Sequence, residues 1–127
     1  MTGLSAIAGR AVEAGLAAGA GEAEAYASRD SGREIRVHGG EVESLTAATQ
    51  SGVGVRAGIG GRVGYAYGTD LSEAGIAAIA GRAAEAATVA DEDEFASPPP
   101  PARIDALPGL SDPSVQAWSA GRAADLA

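Results

Sequence analysis

The chain has 127 residues, a formal net charge of −8 and no cysteine. The acidic balance argues against a nucleic-acid-binding protein, because phosphate groups require a basic surface. The lack of cysteine excludes disulfide bonds, thiolate metal sites and a cysteine nucleophile. No basic stretch followed by an apolar block opens the sequence, and no apolar run approaches the roughly 20 residues of a membrane-spanning helix, so we expect a soluble, cytoplasmic protein.

The predicted core is thin. Apolar residues make up 46% of the chain, but only 4% of all residues are aromatic, and much of the apolar content is alanine, which buries little surface. Each fully buried large side chain contributes only about 1.5–3 kcal/mol, so we expect the chain to need further protein for stability. The residues predicted to form the core are Leu4, Ile7, Val12, Leu16, Tyr26, Ile35, Val37, Val42, Val53, Val55, Val63, Tyr65, Tyr67, Ile76 and Ile79.

A first helix is predicted from Leu4 to Ala18. Apolar residues recur along it at i, i+4 spacing, as on the buried face of an amphipathic helix. Ile7 and Ala11 flank this row, and Gly19 and Gly21 end the helix. The row itself consists of Leu4, Ala8, Val12 and Leu16.

Two strand predictions follow the helix. Residues 23–28 place their alanines on one face and Glu22, Glu24 and Tyr26 on the other, because successive side chains of a strand alternate. Residues 33–38 alternate more clearly, with isoleucine and valine on the apolar face.

The first hairpin is predicted at Gly39-Gly40. Two glycines in a row suit a two-residue primed turn, in which both central residues need positive φ. This turn places Val37 opposite Val42 and Arg36 opposite Glu43, so that one face is apolar and the other carries opposite charges.

The second hairpin is predicted at the Gly60-Gly61 pair. We expect a three-residue loop that begins at Ile59, because this loop pairs Val55 with Tyr65 and joins the apolar faces of the two strands. A two-residue loop would instead pair Tyr65 with Arg56.

A second helix is predicted from Leu71 to about Ala90. Asp70 is the predicted N-cap, and Glu73 completes a capping box. The helix is expected to bury Ile76 and Ile79 together with several alanines that allow a close approach to the sheet.

The sequence after this helix predicts a linker and a further helix. An acidic run from Asp91 to Glu94 leads to four prolines, 98–101, which form a stiff extended spacer. Asp112 and Pro113 predict the cap and first turn of another helix, which we expect to be cut short at Ala127.

The predicted fold class is α+β. An N-terminal helix precedes a small, mostly antiparallel sheet of four or five strands built from two hairpins, and the second helix packs on one face. The predicted organisation is an α+β domain at residues 1–96, a proline-rich linker at 97–111 and the truncated start of a third helix at 112–127.

Residues 41–70 read EVESLTAATQSGVGVRAGIGGRVGYAYGTD, which is strand, glycine turn, strand and helix cap. In that order they resemble the amino-terminal domain of the TldD/PmbA metalloprotease family, formerly called modulators of DNA gyrase. The resemblance extends from the helix near Leu4 to Phe95. It implies an amino-terminal domain that serves as scaffold and encloses substrate in a cytoplasmic, two-subunit metallopeptidase, which cleaves unfolded peptides. It also implies zinc in the catalytic subunit, held by a His-Glu-x-x-x-His helix in a further domain.

The resemblance leaves three identities open for the parent protein, the full-length protein to which this domain would belong. The parent protein is the metal-bearing subunit, or the family's non-catalytic partner subunit that acts by binding, or a free-standing interaction module. We predict no catalytic, cofactor-binding or metal-binding residue within this chain, so whether the parent is an enzyme is left open.

The polar residues that suggest chemistry each have a simpler structural interpretation. His38 is the single histidine, and one histidine makes no zinc site without converging carboxylates. Glu41 and Glu43 could serve as acid and base, but a charged ladder opposite Arg36 and His38 explains them more simply. The serines have no nucleophile elbow.

The glycine spacing of the second hairpin and the charge of Arg56 also have structural interpretations. The spacing of Gly58, Gly60 and Gly64 is similar to a dinucleotide fingerprint, but such a fingerprint lies between a strand and a helix, and this one lies between two strands. Arg56 is the one charge on its strand, where we expect a surface ion pair in preference to contact with substrate or partner.

Overall fold

The computed structural model describes residues 3–127 of the chain. The elements in order are α1 (Leu4–Ala17), β1 (Glu22–His38), β2 (Glu41–Ile59), β3 (Arg62–Gly68), α2 (Glu73–Val89), α3 (Pro113–Gln116) and α4 (Ala120–Ala124). The strands form one antiparallel sheet in the order β1-β2-β3, which confirms the α+β class. No helix in residues 3–127 is long and apolar enough to cross a membrane.

The sheet has three long strands, where four or five shorter ones were predicted. The predicted strands at 23–28 and 33–38 are one continuous strand, β1. The polar stretch between them continues the pairing of β1 with β2, and its side chains add further bonds to β2. Arg29 Nε donates to Ser51 Oγ at 3.2 Å, and the hydroxyls of Ser31 and Thr49 lie 3.0 Å apart.

The first hairpin turns at Gly39-Gly40, as predicted. Both glycines have positive φ, 61° and 81°, and β1 and β2 extend to the residues on either side. Arg36 forms an ion pair with Glu34 on its own strand, with Nε and Oε1 2.7 Å apart, and its predicted position opposite Glu43 stays a prediction. The pairing of Val37 with Val42 stays a prediction.

The predicted three-residue loop in the second hairpin is wrong. Gly60 and Gly61, with φ of 58° and 76°, form a two-residue primed turn. Arg56 therefore lies opposite Tyr65, and Val55 lies opposite Ala66.

The reason for this register lies on the inner face of β3. That face carries Gly64, Ala66 and Gly68, and helix α2 packs directly on it. A Cβ placed on Gly64 would overlap the carbonyl oxygen of Ala83 and the amide nitrogen of Ala87. The tyrosines of β3 cannot fit under a helix this close, so they occupy the opposite face.

Helix α1 packs through a different row from the one predicted. Its buried residues are Ile7, Ala11 and Gly15, whereas Leu16 remains 46% exposed. Gly15 explains the shift, because a Cβ there would lie 3.1 Å from the Cβ of Ala23. The helix approaches the sheet along its smallest residues, and Gly19, with φ of 108°, ends it as predicted.

The core lies between the two helices and the inner face of the sheet. Val53, Val55 and Ile79 are its largest fully buried side chains. Several predicted core residues are exposed instead; they are Leu16, Tyr26, Val42, Tyr65 and Tyr67. The core consists of Ile7, Ala11, Ala20, Val53, Val55, Ala57, Ile76, Ile79, Ala80, Ala83 and Ala84.

Helix α2 begins two residues later than predicted. Ser72 is the N-cap, with its hydroxyl accepting from the amide of Gly75 at 3.1 Å. Asp70, the predicted cap, accepts from the amide of Ser72 at 3.0 Å. Hydrogen bonds from the Ser72 side chain and backbone lower the pKa of Asp70. The stabilisation from this carboxylate is therefore present above its ordinary pKa and is lost as the pH falls through the lowered value.

The described residues divide into two compact units, 3–30 with 50–100, and 31–49 with 101–127. The first contains α1, β3, α2 and the core. In the second, Arg33 Nη1 donates to the carbonyl of Trp118 at 2.6 Å, and the Arg122 guanidinium lies 4.6 Å from the Trp118 ring centroid. Asp112 caps α3 as predicted, but α3 and α4 are two short helices in place of one. The domain boundaries predicted at residues 96 and 111 stay predictions.

Candidate interaction surface

The first unit presents a sheet face opposite the helices. Along β1, the predicted alternation is present: Ala25 and Ala27 pack toward the core, so Glu24 and Tyr26 face outward. The pairing of Arg56 with Tyr65 places the outward residues of β2 and β3 on this same face. We call this surface the tyrosine face; its residues are Glu24, Tyr26, Arg56, Tyr65 and Tyr67.

Glycines on β2 allow the tyrosine rings to lie flat against the sheet. A Cβ on Gly54 would lie 2.6 Å from the Tyr65 hydroxyl, and a Cβ on Gly52 would overlap the Tyr67 ring. The rings cover these glycines, which are buried, yet Tyr65 and Tyr67 remain 60% and 52% exposed. The result is a flat aromatic surface available for contact.

Arg56 forms the surface ion pair that the sequence favoured. Its Nη1 lies 2.5 Å from Glu24 Oε1, and the two side chains are 46% and 38% exposed. The pair joins β1 to β2 and neutralises both charges on the tyrosine face. An exposed pair of this kind contributes at most about 1 kcal/mol, so its main effect is to make the face electrically neutral.

The residues weighed for catalysis are not gathered into a site. His38, Glu41 and Glu43 are exposed at the turn end of the first hairpin. Ser72 caps α2 and Ser51 accepts from Arg29. Neither has the general base that a nucleophile requires.

Zinc does not fit the residues that the structure describes. Between residues 3 and 127, no group of three or more histidine, aspartate or glutamate side chains could hold a metal ion. A zinc site needs three or four converging ligands. The zinc implied by the resemblance would therefore depend on residues outside this range.

The glycine pattern of the second hairpin has no nucleotide-binding context. Gly58 lies in β2, Gly60 in the turn and Gly64 in β3. No helix N-terminus follows the turn directly, so the pattern lacks the dipole that would meet a pyrophosphate. Its function is packing and turn formation.

A docked segment after α2 was missed by sequence reasoning. The sequence predicted only that the acidic run leads into the linker, but residues 90–98 lie against the β2–β3 turn. Arg62 Nη1 donates to the carbonyl of Ala90 at 2.6 Å, and the amide of Asp93 donates to the carbonyl of Gly61 at 2.8 Å. The only hint in the sequence was the arginine directly after the double glycine.

Solved structures with the same fold are found among proteins of known structure. TldE from Thermococcus kodakarensis aligns with a TM-score of 0.69 and 19% identity over 86% of this chain and 26% of its own. A putative modulator of DNA gyrase from Bacteroides thetaiotaomicron aligns with a TM-score of 0.65 and 17% identity over 87% of this chain and 22% of its own. The chain thus spans about a quarter of the length of these proteins, and the likeness shows a shared fold.

Sequence comparison identifies the family. No curated protein sequence matches the chain. The family model described as PmbA/TldA metallopeptidase domain 1 matches residues 23–87, from β1 to the last turn of α2 and more than half of the chain. The chain therefore belongs to the TldD/PmbA family, of which it carries the first domain.

Proposed function

We propose that the chain is the amino-terminal scaffold domain of a TldD/PmbA-type metallopeptidase and that it helps to enclose unfolded peptide substrates. The match to the family's first domain carries this proposal. The lack of a metal-ligating cluster in residues 3–127 supports a role in binding and assembly. The proposal holds whether the parent protein is the metal-bearing subunit or its partner.

The tyrosine face is the surface that we assign to peptide contact. Tyrosine rings offer large, rigid contact area with a polar tip and are enriched at binding surfaces. The Arg56–Glu24 pair leaves the face without a net charge, so it does not select peptides by charge. These properties suit unfolded chains of mixed sequence.

Assembly and location belong to the same proposal. We propose that the parent protein acts in the cytoplasm with a partner subunit of its own family. The thin, alanine-rich core of the first unit supports a domain that gains stability from further contacts.

The chain alone is expected to bind zinc no better than background and to show no peptidase activity. The measurement is elemental analysis after dialysis against zinc, with a His38→Ala variant as control. One zinc per chain that disappears in His38→Ala would contradict the assignment of this domain as metal-free.

Peptide contact is tested by fluorescence anisotropy of labelled, carboxymethylated casein, an unfolded protein, titrated with the full chain. The double variant Tyr65→Ala/Tyr67→Ala should bind at least about tenfold more weakly, because buried interface tyrosines contribute more than about 1 kcal/mol each.

The matched control is Val89→Ala, which removes an apolar side chain that is 84% exposed on α2. Thermal melting of each variant separates lost binding from lost folding. Equal casein affinity in the double variant and the natural chain, or no binding by the natural chain, would contradict the assignment of the tyrosine face.

A further inference from the structure

Residues 90–98 form a series of hydrogen bonds with the β2–β3 hairpin of the first unit. Arg62 donates to the carbonyl of Ala90 at 2.6 Å and to Glu92 Oε1 at 3.3 Å. The Asp93 amide donates to the Gly61 carbonyl at 2.8 Å. Two elements of the β2–β3 hairpin, the turn and the first residue of β3, therefore hold the segment.

The segment is also ordered within itself. Asp93 Oδ1 accepts from the amide of Phe95 at 2.9 Å, and the Asp93 carbonyl accepts from the amide of Ala96 at 3.2 Å. These bonds fold the acidic run into a turn. Asp93 thus stabilises this turn, a structural role that its place in an acidic run did not suggest.

The far end of the segment reaches the start of β1. The Ser97 hydroxyl donates to Glu22 Oε1 at 3.4 Å. Ala96 and Pro98 contact a small cavity beside Glu24 and Arg56, which are two residues of the tyrosine face. The segment therefore passes from the end of α2, around the hairpin turn, to the edge of the tyrosine face.

We propose that residues 90–98 form a strap, anchored by Arg62 as a positioning residue, that fixes the point at which the chain leaves the first unit. The proline run 98–101 begins where the strap ends. Proline-rich segments are stiff, so a fixed origin limits the positions of whatever follows. The strap is a constraint built into the domain and does not depend on the peptide-binding role proposed above.

Limited proteolysis of the full chain with chymotrypsin tests the strap. Phe95 is the single phenylalanine and is 83% exposed, so its side chain is accessible, but cleavage requires the backbone around it to open. Arg62→Gln removes the guanidinium that holds Ala90 and Glu92. We expect cleavage after Phe95 to become about tenfold faster, because proteolysis follows the population of the open form and bonds from a charged donor are the stronger ones.

Arg10→Gln is the control, since it makes the same change of charge on an exposed position of α1. Mass spectrometry of the fragments distinguishes cleavage at Phe95 from cleavage at core sites that would report unfolding. If Arg62→Gln stays folded and Phe95 is cleaved at the natural rate, the strap proposal is overturned.

The natural chain offers a second measurement that does not depend on a variant. The Asp93 amide is hydrogen-bonded to the Gly61 carbonyl, whereas the amide of Asp105 lies in the exposed segment 101–110. The Asp93 amide should therefore exchange its hydrogen at least about tenfold more slowly than the Asp105 amide. Equal exchange at the two amides would also overturn the proposal.

Discussion

Gly64→Ala should destabilise the first unit by about 3 kcal/mol or more. The new Cβ would fall on the Ala83 carbonyl and the Ala87 amide and would lie 2.9 Å from the carbonyl carbon of Ala86. These are backbone atoms of α2, so no side-chain rotation relieves the overlap. The whole helix must move away from β3, and overpacking of this kind is at the severe end of its usual range. Urea denaturation followed by circular dichroism measures the loss.

Gly81→Ala is the matched control for this prediction. It adds the same methyl group to α2 itself, at a position where a Cβ meets nothing within 4 Å. Because glycine weakens a helix interior, this variant should gain about 0.5–1 kcal/mol. A Gly64→Ala variant as stable as the natural chain would show that α2 does not lie this close to β3.

Ile79→Ala should cost about 2–5 kcal/mol. Ile79 is 2% exposed and among the largest fully buried side chains of the core. Its neighbours are mostly alanines and valines, which cannot extend to fill the space, so a cavity remains and adds to the lost transfer free energy. The midpoint of thermal or urea unfolding reports the change.

A second substitution sharpens this test. A Cβ on Gly68 would lie 2.7 Å from Ile79 Cδ1, so Gly68→Ala should destabilise the natural chain. In the Ile79→Ala background that atom is gone, and the same methyl group should be tolerated. The effects of Gly68→Ala and Ile79→Ala on the free energy of unfolding should therefore be coupled in a double-mutant cycle. The control is Val89→Ala on the exposed surface of α2, whose stability should stay within about 0.5 kcal/mol of that of the natural chain. Strictly additive effects of Gly68→Ala and Ile79→Ala would refute the contact between a Cβ at position 68 and the Ile79 side chain.

The sequence was sufficient where the signal was local. A two-residue primed turn requires positive φ at both central residues, and the double glycine at 39–40 adopts it without strain. The alternation of the β1 alanines with Glu24 and Tyr26 was also readable from the sequence, although Tyr26 was placed in the predicted core and is exposed. Residues 41–70 resemble the amino-terminal domain of the TldD/PmbA family, and the family comparison confirmed this resemblance.

Only the tertiary structure decided which residues face the core on β3 and on α1. Hydrophobicity favoured burial of Tyr65, Tyr67 and Leu16, but all three are exposed. Packing distance overrode hydrophobicity, because the helices lie so close to the sheet that Gly64 and Gly15 occupy the contact positions. The alanines of α2 indicated that this helix can come close to the sheet, but the apolar pattern does not show which residues of β3 and α1 lie at the contact.

The strap was beyond sequence reasoning for a related reason. Arg62 and Glu92 are far apart along the chain, and an acidic run beside prolines is typical of a solvated linker. The bond between the Asp93 amide and the Gly61 carbonyl joins two backbone groups, which every residue type carries. Local sequence thus determined the turn at Gly39-Gly40, the cap of α3 at Asp112 and the family of this protein. The approach of its helices to the sheet determined which face was left to the tyrosines, since that distance follows from the packing of the whole domain.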